Sequence, residues 1–154
     1  RTMIGRPTDK SINKSLNDRL ERTEFMPFAP SALAEYADDL FENVGRARHA
    51  AEFMTVTFDV KREWHDRIPA VVHVDGTARP QLVRRETNPL YHAVIDRYRE
   101  LSGIPLVLNT SFNVHEEPIV CAPAEGIRAV SEDRIDALAI GPYWVDNPRR
   151  GAFR

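Results

Sequence analysis

The spacing of apolar residues predicts two helices in the first third of the chain. Asp9 is a candidate cap for the first helix, which would bury one apolar face. That face consists of Ile12, Leu16 and Leu20. Ser31 is a candidate cap for a second helix that Gly45 would end. Its inward-facing residues would be Leu33, Tyr36, Leu40 and Phe41.

The clearest helical pattern covers residues 89–101. Asn88 is a good cap, Pro89 suits the first helical position, and Gly103 can end the helix. A continuous apolar stripe supports this prediction. It contains Leu90, Tyr91, Val94, Ile95, Tyr98 and Leu101. A short helix is expected after Pro123.

Short runs of alternating or continuous apolar residues predict strands elsewhere. Alternation over residues 54–60 indicates a half-buried strand. Residues 71–74 are expected to form another strand, with residues 81–83 returning as the second strand of a hairpin. Residues 105–108 are typical of a strand buried on both faces. Residues 137–145 are expected to form the last strand.

Helices and strands alternate, which predicts an α/β or α+β domain built on a twisted sheet. Residues 25–30 are apolar and rich in proline, so we expect them to be extended. Residues 1–145 would form one domain, and residues 146–154 a frayed C-terminal tail. The periodicity leaves open whether the strands pair in parallel or in a mixed arrangement.

Composition narrows the possible classes of partner. The chain has 154 residues with a net charge of −2, so no bulk positive charge favours nucleic acid or an anionic membrane. Cys121 is the single cysteine, which predicts a cytoplasmic protein without an internal disulfide. No apolar run approaches the roughly 20 residues that span a bilayer. The chain starts at Arg1 rather than methionine, so we expect a fragment or an engineered chain.

Three polar segments are candidates for chemistry. Residues 73–79 (HVDGTAR) would present His73, Asp75, Thr77 and Arg79 at a turn, although an ordinary solvated hairpin explains them equally well. Residues 108–113 (LNTSFN) follow an apolar strand, where ligands of α/β sheets often bind. Polar loop residues are the alternative explanation. Arg19 and Arg22 matter only if they face these segments. Motifs for a glycine-rich phosphate loop, a dinucleotide fold or a zinc protease are absent.

In their order along the chain, these segments resemble the C-terminal domain of the carbamoyltransferase family. That family includes nodulation-factor, cephalosporin and aminoglycoside O-carbamoyltransferases. The segments that carry the resemblance are RTEFMPFAP at 22–30, HVDGTAR at 73–79, LNTSFN at 108–113 and EPIV at 117–120. With the flanking pattern, the resemblance extends to about Val145.

The resemblance implies a YrdC-like fold, an open twisted α/β sheet with a positively charged cavity. Such a domain binds ATP, with Mg²⁺ on its phosphates, and carbamoyl phosphate, and it forms carbamoyl adenylate. The partner implied is an N-terminal, actin/Hsp70-like domain of the same polypeptide, absent from this chain. That domain would hold a metal ion and the acceptor hydroxyl.

The resemblance also implies a set of site residues. Arg79 and Ser111 would be catalytic, and Asn109 would line the carbamoyl and phosphate site with them. Arg22 would supply a further positive charge, and Arg1 would be what remains of an upstream arginine motif of the family. The other motif positions that would bind substrate or nucleotide are His73, Asp75, Thr77, Thr110 and Asn113. We expect these separate segments to converge, with Arg79 and Ser111 on one hollow.

This chain departs from the family pattern at two positions. Many members have arginine where Met26 stands, so one anion contact would be missing or supplied elsewhere. Many have glycine where Glu116 stands. A carboxylate facing the cavity would repel phosphate, so we expect Glu116 to point away.

Two other classes of function compete with the enzyme hypothesis. The chain could be a non-catalytic YrdC-like module that binds nucleotide or RNA, although the net charge of −2 argues against RNA. It could instead be a docking domain whose motifs contact the absent N-terminal domain.

Overall fold

A computed structural model describes residues 1–22 and 27–150. Met26, and with it part of the expected extended segment at 25–30, lies outside the described residues. Two compact units make up the chain. The larger unit comprises Met3–Asn13 and Pro27–Thr110. The smaller unit comprises Arg1–Thr2 and the described residues of 14–26 and 111–154.

A four-stranded mixed sheet organises the larger unit. Its strands are β1 (Thr2–Gly5), β2 (Ala29–Leu33), β5 (Gln81–Val83) and β6 (Leu106–Ser111), in the order β1-β6-β2-β5. Strand β2 pairs in parallel with β5 and antiparallel with β6. The sheet is open and mixed, which confirms the predicted α/β class.

The prediction of a helix beginning at Ser31 is wrong. Ser31 is the central residue of β2, and all five residues of that strand are buried. Because both faces of β2 are covered, its sequence lacks the alternation that identifies a half-buried strand. Helical turns begin only afterwards, as a 3₁₀ turn at Ala34–Tyr36 and helix α2 at Ala37–Leu40.

Helix α4 (Pro89–Ser102) confirms the clearest sequence prediction. The side chain of Asn88 accepts a hydrogen bond from the Tyr91 amide, and Gly103 ends the helix with a φ of 72°. Ile95 is fully buried against Leu33, Val83 and Val107 of the sheet. The predicted stripe is only partly covered, because Leu90, Val94 and Leu101 are exposed.

Short elements complete the larger unit. They are a 3₁₀ turn at Gly45–Ala47, helix α3 (Arg48–Ala51), strand β3 (Phe58–Asp59), a 3₁₀ turn at Arg62–Trp64 and strand β4 (Thr77–Ala78). Strand β3 pairs antiparallel with β4. The strand predicted at 54–60 is therefore reduced to Phe58–Asp59 and a bridge from Val60 to Phe41.

The hairpin predicted from residues 71–74 and 81–83 is wrong. Residues 71–74 form no strand, and Val74 is fully exposed. Strand β5 pairs instead with β2, some fifty positions earlier in the chain. Val71 is buried although it belongs to no strand, so its apolar character reflects burial rather than strand pairing.

Helices α1 and α5 and a hairpin form most of the smaller unit. Helix α1 (Ser11–Arg19) begins in the larger unit, where the Asp9 carboxylate accepts hydrogen bonds from the Ser11 amide and hydroxyl. This confirms the predicted cap. Helix α5 (Pro123–Ser131) follows Pro123 as expected.

The last strand predicted at 137–145 is two strands. Strands β7 (Ala137–Ile140) and β8 (Tyr143–Asp146) pair antiparallel, and Gly141 lies in the turn with a φ of 55°. Proline and glycine at the turn mark it in the sequence, but the apolar run on both sides obscured it.

The tail predicted to be frayed after Asp146 is anchored as far as Arg150. Asn147 is fully buried and donates hydrogen bonds to the Asp133 carboxylate and the Ile135 carbonyl. Arg150 donates two hydrogen bonds to Asp133, at 2.8 and 2.7 Å. In the described ranges, no helix has the length and apolar character needed to cross a bilayer.

Candidate functional site

Residues from two predicted segments meet at one end of the mixed sheet. Strand β6 runs antiparallel to β2, so Asn109 near its carboxyl end lies opposite Ala29, the first residue of β2. Strand β5 runs parallel to β2, and its first residue, Gln81, lies opposite Ser31. The start of β5 and the carboxyl end of β6 therefore share the same end of the sheet.

A partly buried polar network crosses this end, with Ser31 and Asn109 buried and Gln81 half-buried. The Asn109 side-chain amide donates to the Gln81 side-chain oxygen at 3.1 Å, and the Ser31 hydroxyl donates to the same oxygen at 2.8 Å. Asn109 also approaches the Met54 sulfur at 3.9 Å. Buried polar groups are costly unless they are paired, so this network holds three strands in register.

Sequence reasoning expected Ser31 only as a helix cap, and it also missed Gln81 as a member of this network. Gln81 was expected only in the return strand of a hairpin, where a polar first residue does not indicate a function. Its role depends on the pairing of β5 with β2.

Arg79 places a positive charge at this end of the sheet. It lies between β4 and β5, two positions before Gln81, and it is exposed. Its side chain has no hydrogen bond or ion pair within the part of the chain that the structure describes. A guanidinium with unpaired N–H donors can bind two oxygens of one phosphate or carboxylate, and the adjacent strand holds its backbone in place.

The other polar residues of the HVDGTAR segment stabilise a turn. Asp75 accepts hydrogen bonds from the Thr77 amide at 3.0 Å and the Thr77 hydroxyl at 2.8 Å. These bonds lower the pKa of Asp75. The His73 ring contacts the Thr77 hydroxyl at 3.2 Å, and Gly76 has a φ of 84°. The side chains of His73, Asp75 and Thr77 therefore contact one another. Such contacts are what an ordinary turn without a binding role would have.

The LNTSFN residues divide between the two units. Thr110 is half-buried and is the last residue of the larger unit, whereas Ser111 is exposed and begins the later part of the smaller unit. The Asn113 amide donates to the carbonyl oxygens of Val114 at 3.0 Å and Glu117 at 2.9 Å. Asn113 thus holds the loop that follows β6.

Asn113 also lines a small cavity of the smaller unit. The cavity has a volume of about 20 Å³, and Arg134 lines it too. The Asn113 side-chain oxygen and Arg134 Nη1 are both buried without a protein partner. A space of this size fits one water molecule, which could satisfy such polar atoms.

The basic residues near the start of the chain have different surroundings. Arg19 donates to the Asp133 carbonyl oxygen at 3.1 Å and pairs with Asp136 at 2.8 Å. It is therefore bound within the smaller unit. Arg22 is half-buried, and this burial lowers the pKa of its guanidinium. Arg1 is exposed.

The structure therefore brings Arg79 and Asn109 to one end of the sheet in the larger unit. The convergence of Arg79 with Ser111 stays a prediction. Glu116 is exposed, and its orientation relative to a bound anion is likewise a prediction. Among residues 1–22 and 27–150, no group of three or more histidine, cysteine, aspartate or glutamate side chains is placed to hold a metal ion.

Comparison with known proteins connects these features to one family. The family model described as Carbamoyltransferase C-terminus matches residues 1–147. The nodulation protein NolO of Bradyrhizobium diazoefficiens is 36% identical over 94% of this chain and 26% of its own length. The nodulation protein NolNO of Sinorhizobium fredii is also 36% identical, over 94% of this chain and 21% of its length.

A further relative has no function in its name. An uncharacterized protein of Methanocaldococcus jannaschii is 39% identical over 94% of this chain and 27% of its length. The chain thus spans about a quarter of the length of the curated relatives it matches.

Proposed function

This chain belongs to the carbamoyltransferase C-terminal family, and we propose that it is the part of an O-carbamoyltransferase that binds ATP and carbamoyl phosphate and forms carbamoyl adenylate. An N-terminal, actin/Hsp70-like domain of the same polypeptide would then transfer the carbamoyl group to an acceptor hydroxyl. The family match and the two nodulation proteins support the transferase class.

One observation carries the proposal. Arg79 is an exposed arginine whose side chain has no partner among the described residues, and it lies two residues before Gln81, which accepts the Asn109 hydrogen bond. This hydrogen bond fixes the start of β5, so the backbone that presents Arg79 is held in place. A positioned guanidinium beside a rigid strand can bind a phosphate oxygen without reorganising first.

The proposed reaction places few demands on acid–base catalysis. Carbamoyl phosphate must first lose its phosphate group to water, which leaves a carboxylate-like oxygen on the carbamoyl group. That oxygen forms a bond to the α-phosphorus of ATP, and the bond to the departing pyrophosphate breaks. Both reactants are anions, so the main requirement is positive charge that stays protonated.

Each site residue has a distinct role in this proposal. Arg79 would bind a phosphate oxygen, and the exposed Ser111 hydroxyl would donate a hydrogen bond to substrate. Asn109 and Gln81 would position Arg79 rather than touch substrate. Mg²⁺ would enter with ATP, held chiefly by phosphate oxygens and water.

The test uses the full-length protein that contains this chain. Arg79→Gln should weaken carbamoyl-phosphate binding by about ten- to hundredfold, the scale of one charged set of hydrogen bonds. Arg79→Lys should retain more affinity than Arg79→Gln, because lysine keeps the positive charge but lacks the paired N–H donors of a guanidinium. Calorimetric titration measures binding, and pyrophosphate release from ATP measures adenylate formation.

Arg62→Gln is the matched control. Arg62 is exposed in the same unit and has no side-chain hydrogen bond or ion pair among the described residues, so its loss should change neither quantity. Wild-type binding and pyrophosphate release in Arg79→Gln would refute the proposal.

A further inference from the structure

The opposite end of the mixed sheet has an open cleft lined by four arginines. Its volume is about 770 Å³, and it lies within the larger unit. Its charged lining consists of Arg46, Arg48, Arg84, Arg85, His49, His92, Glu35, Glu52 and Glu86. We refer to it as the arginine cleft.

The topology places the arginine cleft where α/β proteins bind ligands. Strands β2 and β5 are parallel, and their last residues, Leu33 and Val83, lie side by side. The chain then continues into cleft-lining residues on both strands, at Ala34 and at Arg84. Crevices beyond the carboxyl ends of parallel strands are common binding sites in such sheets.

The lining of the cleft carries four guanidinium groups and three carboxylates, a formal sum of +1 with neutral imidazoles. Asp38 pairs with Arg48 and offsets that charge, so the positive charge still available to an anion lies on Arg46 and Arg85. An anion would therefore be attracted by these nearby arginines and not by the net charge of the chain.

Internal contacts occupy most of the carboxylates. Glu52 pairs with Arg84 at 3.1 Å and lies 3.6 Å from the His49 ring. Glu35 contacts the buried His92 ring at 2.9 Å. Both acids are committed to these partners, so they do little to neutralise the remaining arginines.

Separate contacts fix the guanidinium of Arg48. It donates to the Ala34 carbonyl at 2.9 Å and pairs with Asp38. A guanidinium has five N–H donors, so Arg48 and Arg84 keep donors beyond those already used. Fixed donors lose less entropy when an anion binds.

Arg46 and Arg85 are the two cleft arginines that take no part in the contacts described above. Both are exposed, and neither forms an ion pair within residues 1–22 and 27–150. Glu86 is the one cleft carboxylate that also lacks an ion pair in those ranges, and it weakens the local positive potential.

We propose that the arginine cleft binds a ligand with two adjacent phosphate groups, either inorganic pyrophosphate or a nucleoside diphosphate. Two unpaired guanidiniums and two fixed ones match the several oxygens of a diphosphate, which arginine contacts in a bidentate way. The cleft volume falls in the range of small-molecule sites. This site is separate from the end of the sheet that presents Arg79.

The experiment is a calorimetric titration of the full-length protein with pyrophosphate, with adenosine diphosphate and with adenosine monophosphate as the single-phosphate comparison. Arg46→Gln and Arg85→Gln should each weaken diphosphate binding by about tenfold or more. Glu86→Gln should strengthen it, because it removes a like charge. Tighter binding of adenosine diphosphate than of pyrophosphate would identify a nucleotide as the ligand.

Two controls separate this site from the adenylation site. Arg62→Gln removes an exposed arginine outside the cleft and should leave binding within about twofold of wild type. Arg79→Gln should retain binding at the cleft even if adenylate formation is lost. The proposal is overturned if wild type binds no diphosphate, if Arg46→Gln and Arg85→Gln bind normally, or if Arg79→Gln alone abolishes binding.

Discussion

The side chain of Asn109 reaches across strand β2 to Gln81, with the amide nitrogen 3.1 Å from the Gln81 oxygen. These residues belong to β6 and β5, which are both neighbours of β2 but not of each other. The hydrogen bond therefore joins strands that the sheet ladder leaves unconnected. It makes the register at the Arg79 end of the sheet depend on side chains as well as on backbone.

A double-mutant cycle on Asn109 and Gln81 should reveal this connection. Asn109→Ala removes a buried donor and leaves the Gln81 oxygen with one fewer partner, so the free energy of unfolding should fall by about 1–3 kcal/mol. The double variant with Gln81→Ala should lose less than the sum of the two single changes. Urea unfolding of each variant measures the difference. Simple additivity would mean that the contact does not stabilise the sheet.

Glu116→Gly should stabilise the smaller unit. Glu116 has a φ of 64°, a left-handed conformation that strains a residue with a β-carbon. Glycine has no β-carbon and adopts that backbone conformation readily. We expect the free energy of unfolding to rise by about 0.5–1 kcal/mol, after the greater freedom of glycine in the unfolded chain is counted.

Thermal and urea unfolding check this expectation for Glu116→Gly. Glu116→Ala is its control, since alanine removes the charge but keeps the β-carbon. An equal gain in both variants would assign the effect to charge rather than to backbone conformation.

Asn147→Ala should destabilise the chain although it lies close to the C-terminus. Asn147 is fully buried, and its side chain bonds the Ile135 carbonyl and the Asp133 carboxylate, while its oxygen accepts from the Arg149 amide. Losing three hydrogen bonds in a buried place should cost about 1–3 kcal/mol. Urea unfolding measures the cost, and Arg149→Ala is a nearby control because its side chain is exposed. If Asn147→Ala is as stable as Arg149→Ala, the Asn147 hydrogen bonds do not stabilise the fold.

The Asp133–Arg150 pair predicts a specific dependence of stability on pH. Hydrogen bonds from Arg150, and then its charge, lower the pKa of Asp133 in the folded chain. A lowered folded-state pKa stabilises the fold above the ordinary value of about 3.9, and that contribution disappears as the pH falls through the folded value. The difference in unfolding midpoint between wild type and Asp133→Asn should therefore be greatest near neutral pH and shrink below about pH 4.

Urea titrations at several pH values measure this difference. Asp66→Asn removes a charge from an exposed aspartate that has no ion pair within the described ranges, so it should show no comparable dependence. A constant difference between Asp133→Asn and wild type from pH 7 to pH 3 would contradict the expectation.

Helix α4 and strand β2 show why sequence prediction succeeded in one place and failed in another. The signals for α4 are local: Asn88, Pro89 and Gly103 act within a few residues of the helix ends. Strand β2 has no such signals, and its apolar residues fit a helical spacing as well as a buried strand. The candidate site shows the same division, since the motif containing Arg79 was visible but its neighbour Gln81 was not.

Local chemistry in the chain was enough to indicate the family, the α/β class, the ends of α4 and the apolar run that forms β6. Capping, helix periodicity and short motifs act over distances that the sequence itself displays. Tertiary structure decided the parallel pairing of β2 with β5, the burial of Asn147 and the arginine cleft. Each of these depends on residues far apart in the chain, brought together by burial of apolar surface and by pairing of backbone groups.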